Sequence, residues 1–383
     1  MPPTPTPPCA CQPPDAVVFR AGTEGYHTFR IPSLITTPAG VVLAFCEGRK
    51  NASSDTGDID LVLRRSLDGG EAWGPLQIIW DDGLNTCGNP CPVVDRDTGS
   101  LWLLLTHNLG QDRESQILDG TSEGARTVWV THSTDDGATW APPEEITATT
   151  KQPDWTWYAT GPGVGIQLRS GRMVIPCDNA VAGTKMGQSH VIISDDHGAT
   201  WKLGGVVGEQ VNESQVAELA DGTLLINMRN WRNSGSNQRA FATSTDGGMT
   251  WSAIRRDPAL IEPVCQASLI ACRENGDWQP VSRRLRNRCL SPFSGPTDPQ
   301  PRLLLFSNPA SVTRDHMTVR LSEDGGKTWR HSRLLYEGPA AYSCLTVLPN
   351  GRIGCLYERG EDNPYESIVV ARFGLEWLRE GQT

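Results

Sequence analysis

A short octapeptide with the pattern Ser-x-Asp-x-Gly-x-(Thr)-Trp recurs five times along this 383-residue chain. The copies occupy residues 66–73, 133–140, 194–201, 244–251 and 322–329. A repeat every 50 to 80 residues or so is typical of an array of similar structural units. Within each copy, Asp and Gly favour a tight turn between antiparallel strands, and the Trp can pack between sheets. We call these octapeptides boxes, and we interpret them as folding elements that bind no ligand.

Pairs of apolar runs around a Gly turn give an independent count of the units. Five such hairpins are predicted at residues 33–45, 92–105, 164–177, 215–228 and 344–357. A sixth forms if residues 267–272 pair with residues 302–306 across a long insertion. In five units a strand ending in a box follows the hairpin, which predicts four antiparallel strands per unit.

The last hairpin is followed only by residues 367–373, so its unit needs a strand from elsewhere. We expect residues around 17–19 to supply it, because a closed ring leaves no strand edge unpaired. The predicted fold is all-β, a six-bladed β-propeller with five boxes. Residues 1–15 are predicted to be a disordered Pro-rich segment, and residues 16–383 a single catalytic domain.

Composition restricts the partners of the chain. The formal charge of −10 argues against nucleic acid and anionic membranes. No apolar run reaches the roughly 18 to 20 residues of a membrane helix, and the N-terminus lacks the features of an export signal. We expect a soluble, cytoplasmic monomer, or else a secreted protein whose signal has been removed. The 11 cysteines are scattered, which favours reduced thiols over a disulfide scaffold or zinc site.

Propeller topology predicts where a binding site lies. The start of the first strand, the end of the second strand and the start of the third strand of every blade meet at the rim opposite the boxes. Arginines, carboxylates and tyrosines are concentrated at these positions. Arg30, Arg229 and Arg314 come from three different blades, and a guanidinium cluster of this kind is repulsive unless it binds an anion. The rim therefore predicts an acidic ligand.

Several of these motifs together resemble the exo-α-sialidase (neuraminidase) family. The resemblance covers residues 19–373 and rests on the boxes and on five further segments. These segments are Phe29-Arg30-Ile31-Pro32, Ser53-Ser54-Asp55 after Glu47-Gly48-Arg49, Asn212-Glu213-Ser214-Gln215, Asn227-Met228-Arg229 and Tyr342-Ser343.

The resemblance implies that Arg30, Arg229 and Arg314 clamp the carboxylate of a sialic acid, with Glu358 orienting Arg30. Arg320 is an alternative to Arg314; Arg314 is preferred because it precedes the strand at 317–321. The substrates implied are sialylated glycans, glycoproteins or glycolipids. No metal or organic cofactor is required.

The resemblance also implies a tyrosine nucleophile, Tyr342, because a carboxylate nucleophile would be repelled by the carboxylate on the anomeric carbon of a sialic acid. Glu213 is the expected general base, and Glu218 its alternative deeper in the blade. Asp55 is the expected acid/base catalyst, with Asp58 and Asp60 as structural alternatives. The reaction expected is hydrolysis with retained configuration.

Further rim residues are weaker candidates. Arg49 is expected near the C4 hydroxyl, and Asn89 and Cys91 near the N-acetyl group. Trp155, Trp157 or Tyr158 could cover the glycerol chain or the aglycone, and the basic run at 283–288 is interpreted as a solvated loop. The competing functions are a trans-sialidase, a hydrolase for deaminated sialic acid and a sialic-acid-binding propeller without catalysis.

Overall fold

The computed structural model describes residue 13 and residues 15–184, 186–231, 236–273 and 303–380. Within these ranges the chain is built from β-strands and three short helices. The strands are β1 (Asp15–Arg20), β2 (Thr28–Thr36), β3 (Val42–Arg49), β4 (Ile59–Ser66), β5 (Gln77–Trp80), β6 (Thr86–Val94), β7 (Leu101–Asn108), β8 (Thr127–Ser133), β9 (Glu144–Glu145), β10 (Trp155–Thr160), β11 (Ile166–Gln167), β12 (Met173–Val181), β13 (Met186–Ser194), β14 (Lys202–Glu209), β15 (Val211–Glu218), β16 (Leu224–Asn230), β17 (Gln238–Ser244), β18 (Arg255–Ile261), β19 (Ser268–Cys272), β20 (Leu303–Pro309), β21 (Asp315–Ser322), β22 (His331–Val347), β23 (Ile353–Arg359) and β24 (Ser367–Phe373). The helices are α1 (Glu114–Asp119), α2 (Thr147–Thr150) and α3 (Leu375–Arg379).

The strands form four sheets, and their pairing is antiparallel except for one contact between Ile59 and Thr86. Within each sheet most neighbouring strands also follow one another in sequence, so the fold is a series of meanders. The 17-residue strand β22 contributes to two of these meanders: its first half pairs with β21 and its second half with β23. The predicted all-β architecture is confirmed.

The predicted closing contact between the two ends of the chain is present. Strand β1 pairs with β24, with Val17 opposite Val369. The expected disordered segment extends one residue too far, because Asp15 already belongs to β1 and its carboxylate accepts a hydrogen bond of 2.7 Å from the Tyr357 hydroxyl. Residues 1–12 and 14 lie outside the described residues.

Most of the predicted hairpins form. Strand β19 pairs with β20, with Ser268 opposite Ser307, so the sixth hairpin bridges the insertion. Residues 274–302 of that insertion, including the basic run, lie outside the described residues. The hairpin predicted at 164–177 is different: its first strand is split, because Gly161-Pro162-Gly163 separates β10 from β11, and a proline has no N–H to donate to a ladder.

Each of the five strands that precede a box ends at the serine of that box. In the second box, the Ser133 hydroxyl donates to the Asp135 carboxylate over 2.8 Å and accepts from the Gly137 N–H over 2.9 Å. The other four boxes repeat this pair of contacts. Gly137 has a φ of 74°, a conformation that glycine adopts without strain. The predicted role of the box side chains in the turn is confirmed.

The box tryptophans pack against neighbouring strands. Trp140 makes an edge contact with Phe45, with ring centroids 5.8 Å apart, and Trp329 lies 5.6 Å from Phe306.

The eight cysteines among the described residues are buried and form no disulfide. None of the described helices is long and apolar enough to cross a membrane.

Candidate active site

A polar cavity of about 210 Å³ lies where the first strands of the meanders converge. It brings together eight of the nine residues predicted to form the site: Arg30, Arg49, Asp55, Asn89, Glu213, Arg229, Arg314 and Tyr342. The ninth, Glu358, lies directly behind Arg30 and is fully buried. No box residue lines this cavity.

Shifts in strand register at the edge of the cavity turn these side chains toward its interior. The ladder between β2 and β3 shifts register between Arg30 and Ser33, and that between β6 and β7 shifts between Gly88 and Cys91. Similar shifts occur in β10, β15 and β22, next to Trp157, Glu213 and Tyr342. A β-bulge bends its strand and turns a side chain away from the regular alternation, and bulges are common beside active sites.

Tyr342, Glu213 and Arg229 form one hydrogen-bonded group. The Tyr342 hydroxyl donates to Glu213 Oε1. Arg229 Nη1 donates to Glu213 Oε2 over 2.6 Å and to the Tyr342 oxygen over 3.2 Å. Burial and the Glu213 charge raise the pKa of Tyr342, while three arginines oppose that rise. The phenol is therefore neutral at neutral pH and is hydrogen-bonded to a carboxylate that can accept its proton.

Arg30 is held by a buried carboxylate. Its Nε and Nη2 donate to the two oxygens of Glu358 over 3.2 and 3.3 Å. The same oxygens accept the backbone N–H groups of Ile31 and Tyr342, over 2.9 and 3.0 Å. Ile31 has a φ of 62°, which is uncommon for a β-branched residue. Glu358 therefore fixes the Arg30 guanidinium and also joins the strand of Arg30 to the strand of Tyr342.

Asp55 lies at the mouth of the cavity, on the loop between β3 and β4. Its side chain is 54% exposed and pairs with Arg49 at 2.8 Å and Arg30 at 3.4 Å. Burial raises the pKa of Asp55, but Arg49 and Arg30 outweigh this effect, so the pKa lies below its ordinary value. Arg49 also donates to Glu47 over 2.6 Å and to the Ser53 carbonyl over 2.6 Å, which ties the Asp55 loop to β3.

The third arginine of the cavity is Arg314, because Arg320 points elsewhere. Arg314 Nη1 donates to the Tyr365 hydroxyl over 2.8 Å. The Tyr365 ring also stacks on the Arg30 guanidinium, 4.1 Å from its centroid. Arg320 instead donates to the Asn308 amide oxygen over 3.1 Å. Tyr365 thus contacts two of the three arginines, although no sequence motif indicated it.

Three of the weaker candidates, Cys91, Tyr158 and Trp155, do not reach the cavity. Cys91 and Tyr158 are fully buried in a hydrophobic cluster, because the bulges that turn Asn89 and Trp157 into the cavity return the following residues to the core. Trp155 is in that cluster too. Asn89 has a φ of 55°, and its backbone N–H donates to Glu47 over 2.9 Å.

The alternative carboxylates serve structural contacts. Glu218 pairs with Arg169 at 3.2 Å, away from the cavity. Asp60 accepts the Tyr26 hydroxyl over 2.6 Å, and both Asp58 and Asp60 pair with Lys50 at 3.1 Å. The prediction that Asp60 is structural is confirmed.

Other cavity residues had no predicted role: Glu114, Arg126, Asp178, Trp231 and Tyr365. Asp178 lies near the end of β12, the second strand of its meander, and so stands at a rim position. Arg126 directly precedes β8, the third strand of its meander, and this rim position would have identified it.

Comparison with known proteins gives consistent matches along most of the chain. Residues 40–355 match a family described as a BNR repeat-like domain. A sialidase from Micromonospora viridifaciens is 35% identical over 93% of this chain and 53% of its own length. An exo-α-sialidase from Aspergillus fumigatus is 32% identical over 93% of this chain and 86% of its own. This chain therefore spans about half of the first relative and most of the second.

Among solved structures, the Hadza microbial sialidase Hz136 superposes with a TM-score of 0.80. Its sequence is 32% identical, and the match covers 95% of this chain and 69% of that chain. The fold and the sequence comparisons therefore agree over the same part of the chain.

Proposed function

The chain belongs to the sialidase family, and from that membership we propose that it is an exo-α-sialidase that hydrolyses terminal α-linked sialic acids of glycans, glycoproteins or glycolipids. The observation that carries this proposal is the hydrogen bond from the Tyr342 phenol to Glu213, beside three arginines in one cavity. Binding of an acidic sugar needs the arginines alone. A phenol paired with a carboxylate base adds a nucleophile.

The three arginines hold the substrate carboxylate. Arg30, Arg229 and Arg314 reach the cavity from three strands or loops that are distant in sequence. A guanidinium offers paired N–H donors that match the two oxygens of a carboxylate. Because Glu358 and Tyr365 already fix two of these arginines, little of their side-chain entropy remains to be lost when the substrate binds.

Tyr342 attacks the anomeric carbon C2. Its oxygen forms a bond to C2 as the bond from C2 to the glycosidic oxygen breaks, and its proton passes to Glu213. A phenol at its ordinary pKa of about 10 is a weak nucleophile at neutral pH, so this proton transfer is needed. The nearby arginines favour the phenolate character that develops during attack.

Asp55 completes the reaction as acid and then base. In its protonated form it donates a proton to the departing glycosidic oxygen, and as a carboxylate it later takes a proton from water. That water attacks C2, the bond from C2 to the Tyr342 oxygen breaks, and Glu213 returns its proton to the phenolate. Two displacements at C2 leave its configuration unchanged.

The strand pairing supports a six-bladed β-propeller as the scaffold. The meanders divide into six sets of four strands when β22 is counted in two of them and β10 is grouped with β11. The sixth set consists of the second half of β22, then β23, β24 and β1. We assign residues 15–383 to this one catalytic domain, one residue more than the sequence predicted because Asp15 lies in β1. We expect the domain to be monomeric, which sedimentation velocity can test.

The experiment that tests the function uses an aryl α-sialoside and a fluorinated sialyl fluoride. We expect release of the aryl group, with the α-anomer as the first sugar product by proton NMR. The fluorinated reagent should lose its anomeric fluoride and add the mass of one fluorinated sialyl group to the peptide that contains Tyr342. Binding of sialic acid without aryl release, or release with the β-anomer formed first, would contradict the proposal.

A further inference from the structure

Glu213 and Tyr342 are hydrogen-bonded to each other, although they lie on strands that do not pair. Glu213 is part of β15 and Tyr342 is part of β22, and these strands belong to different sheets of the described chain. A general base must stay within hydrogen-bond reach of the proton that it removes. The contact between the two side chains therefore depends on the groups that hold β15 and β22 at a fixed separation.

Gln266 binds the backbone next to Tyr342. It lies two residues before β19, and its side chain is buried, with the residue only 1% exposed. Its Oε1 accepts the Ser343 N–H over 3.0 Å, and its Nε2 donates to the Ser343 carbonyl over 3.0 Å. The same Nε2 also donates to the Pro162 carbonyl over 3.0 Å. Gln266 thus joins the strand of Tyr342 to the segment between β10 and β11.

Gln215 binds the same carbonyl from the strand of Glu213. It lies two residues after Glu213 on β15 and is as deeply buried as Gln266. Its Nε2 donates to the Pro162 carbonyl over 3.1 Å, and its Oε1 accepts the Val164 N–H over 3.3 Å. A carbonyl oxygen has two lone pairs, so the two glutamines fill both acceptor positions of Pro162. We call the contacts of Gln215 and Gln266 with this carbonyl the glutamine bridge.

The segment 161–163 is shaped to receive the bridge. A Cβ atom at Gly163 would lie 2.5 Å from the Gln215 Nε2, so only glycine lets the amide approach this closely. The Gly161 carbonyl accepts the Ser214 N–H over 3.3 Å, which is a second contact with β15. Buried amide groups are costly unless they are paired, and in the bridge the nitrogen and the oxygen of both glutamines have partners.

We propose that Gln215 and Gln266 are positioning residues for the covalent step, because their shared contact with the Pro162 carbonyl sets the distance between Tyr342 and Glu213. This inference rests on the proposed function, in which Tyr342 attacks C2 and Glu213 takes its proton. Neither glutamine lines the active-site cavity, so each acts through the residues beside it. Misplacement of a reacting group by about 1 Å can cost about 100-fold in rate, so a small change in this distance slows the attack.

A fluorinated sialyl fluoride isolates the step that the bridge should affect. The Tyr342 oxygen forms a bond to C2 as the bond from C2 to fluorine breaks, fluoride departs, and Glu213 accepts the phenolic proton. Because fluoride leaves without being protonated, the maximal rate constant for labelling of Tyr342 does not depend on an acid role of Asp55. The affinity for a 2,3-dehydro sialic acid, measured by calorimetry, reports on ligand binding alone.

The variant Gln266→Met removes the amide and keeps an unbranched side chain of similar length. We expect the maximal labelling rate constant to fall about 10- to 100-fold, while affinity for the 2,3-dehydro sialic acid stays within about 3-fold of the wild-type value. Labelling at the wild-type rate, or equal losses of labelling rate and affinity, would overturn the proposal. The matched control Gln167→Met removes a buried amide that donates to Asp95 over 2.8 Å, outside the active-site cavity, and should be labelled at the wild-type rate.

The variant Gln215→Met tests the other half of the bridge. We expect a loss of labelling rate in the same range, because the same connection is broken. The double variant should lose less than the product of the two single losses, since residues that share a partner are not additive. A loss equal to that product would overturn the shared bridge. If Gln266→Met does not fold, Gln215→Met, which removes neither Ser343 contact, decides the question through the same two measurements.

Failure of the bridge and failure of the proposed function give different results. If wild-type protein cleaves an aryl sialoside and is labelled at Tyr342, but the glutamine variants react like wild type, the sialidase proposal stands and the bridge fails. If wild-type protein binds the 2,3-dehydro sialic acid but neither cleaves the aryl sialoside nor is labelled at Tyr342, both proposals fail.

Discussion

The Asp55 carboxylate lies 3.4 Å from Nη1 of Arg30, an arginine assigned to the substrate carboxylate. Two carboxylates therefore compete for one guanidinium. Glu358 contacts the other side of the Arg30 guanidinium and is fully buried, so this contact is fixed. The Asp55 side chain lies on a loop and is half exposed, so its contact with Arg30 can be broken. Substrate binding should thus weaken the contact between Asp55 and Arg30, which removes one of the charges that lower the pKa of Asp55.

The variant Asp55→Asn tests this competition. We expect kcat to fall by a factor of about 10² to 10⁴, because a positioned acid and base is lost. A 2,3-dehydro sialic acid should bind about 2- to 5-fold more tightly, equivalent to roughly 0.4 to 1 kcal/mol for a partly exposed ion pair. Calorimetry measures the affinity, and binding more than 10-fold weaker than in wild type would show that Asp55 supports the ligand instead of competing with it.

The variant Tyr342→Phe removes the proposed nucleophile with little change in shape. We expect kcat for an aryl sialoside to fall by about 10³-fold or more, because the covalent route is lost. The fold should persist, since Glu213 keeps its 2.6 Å contact with Arg229. Steady-state kinetics and circular dichroism measure these effects. Kinetics like those of wild type would mean that another group attacks C2.

The variant Arg30→Lys keeps the positive charge but loses the paired contact with Glu358. We expect affinity for a sialic acid analogue to fall about 10- to 100-fold, equivalent to roughly 1.4 to 2.7 kcal/mol for charged hydrogen bonds. The C1 carboxamide of the same analogue provides the control, because it should bind both proteins weakly and to a similar extent. Unchanged affinity for the acid would exclude Arg30 from the carboxylate clamp.

His190 lies outside the active site and makes the free energy of unfolding depend on pH. Its ring is fully buried, 4.6 Å from that of Trp155, and neither ring nitrogen has a hydrogen-bond partner among the described residues. Burial lowers the pKa of His190 to about 3. The unfolded chain has a histidine pKa of about 6.5, so between these values only the unfolded state binds the extra proton. The free energy of unfolding therefore falls as the pH falls from about 6.5 toward 3.

The variant His190→Leu should remove this dependence. Between pH 7 and pH 5 we expect wild type to lose about 2 kcal/mol more of its unfolding free energy than the variant does. Urea titrations at the two pH values measure the difference, and the exposed His27→Gln variant is the control. Parallel losses in wild type and His190→Leu would show that this histidine is not the group responsible.

The boxes should influence stability without affecting catalysis. Ser133→Ala removes a buried hydroxyl that bonds both Asp135 and the Gly137 N–H. We expect the free energy of unfolding to fall by about 1 to 2 kcal/mol, the usual cost of such a loss. Because no box residue lines the cavity, kcat/KM should stay within about 2-fold of the wild-type value. A selective loss of activity at unchanged stability would contradict the structural role.

The order and register of the strands could be predicted from the sequence. The direction in which individual side chains point could be predicted only in part. Gly turns and boxes mark where strands reverse, and these local signals placed Arg30, Glu213 and Tyr342 at one edge. Simple alternation fails at the bulges, and Cys91 was misplaced because the register shifts just before it. Tyr365 was missed because its contacts with Arg30 and Arg314 join loops remote in sequence, and no local pattern encodes such contacts.

The pairing of β1 with β24 has a consequence for how the protein is made. Strand β1 leaves the ribosome before every other described strand, but its partner emerges after all the others. Until β24 has been made, β1 and the unfinished last meander have unpaired strand edges. Such edges promote association between chains. Pairing of β1 with β24 is thus a late event, and chains interrupted before β24 should be the ones that depend most on chaperones.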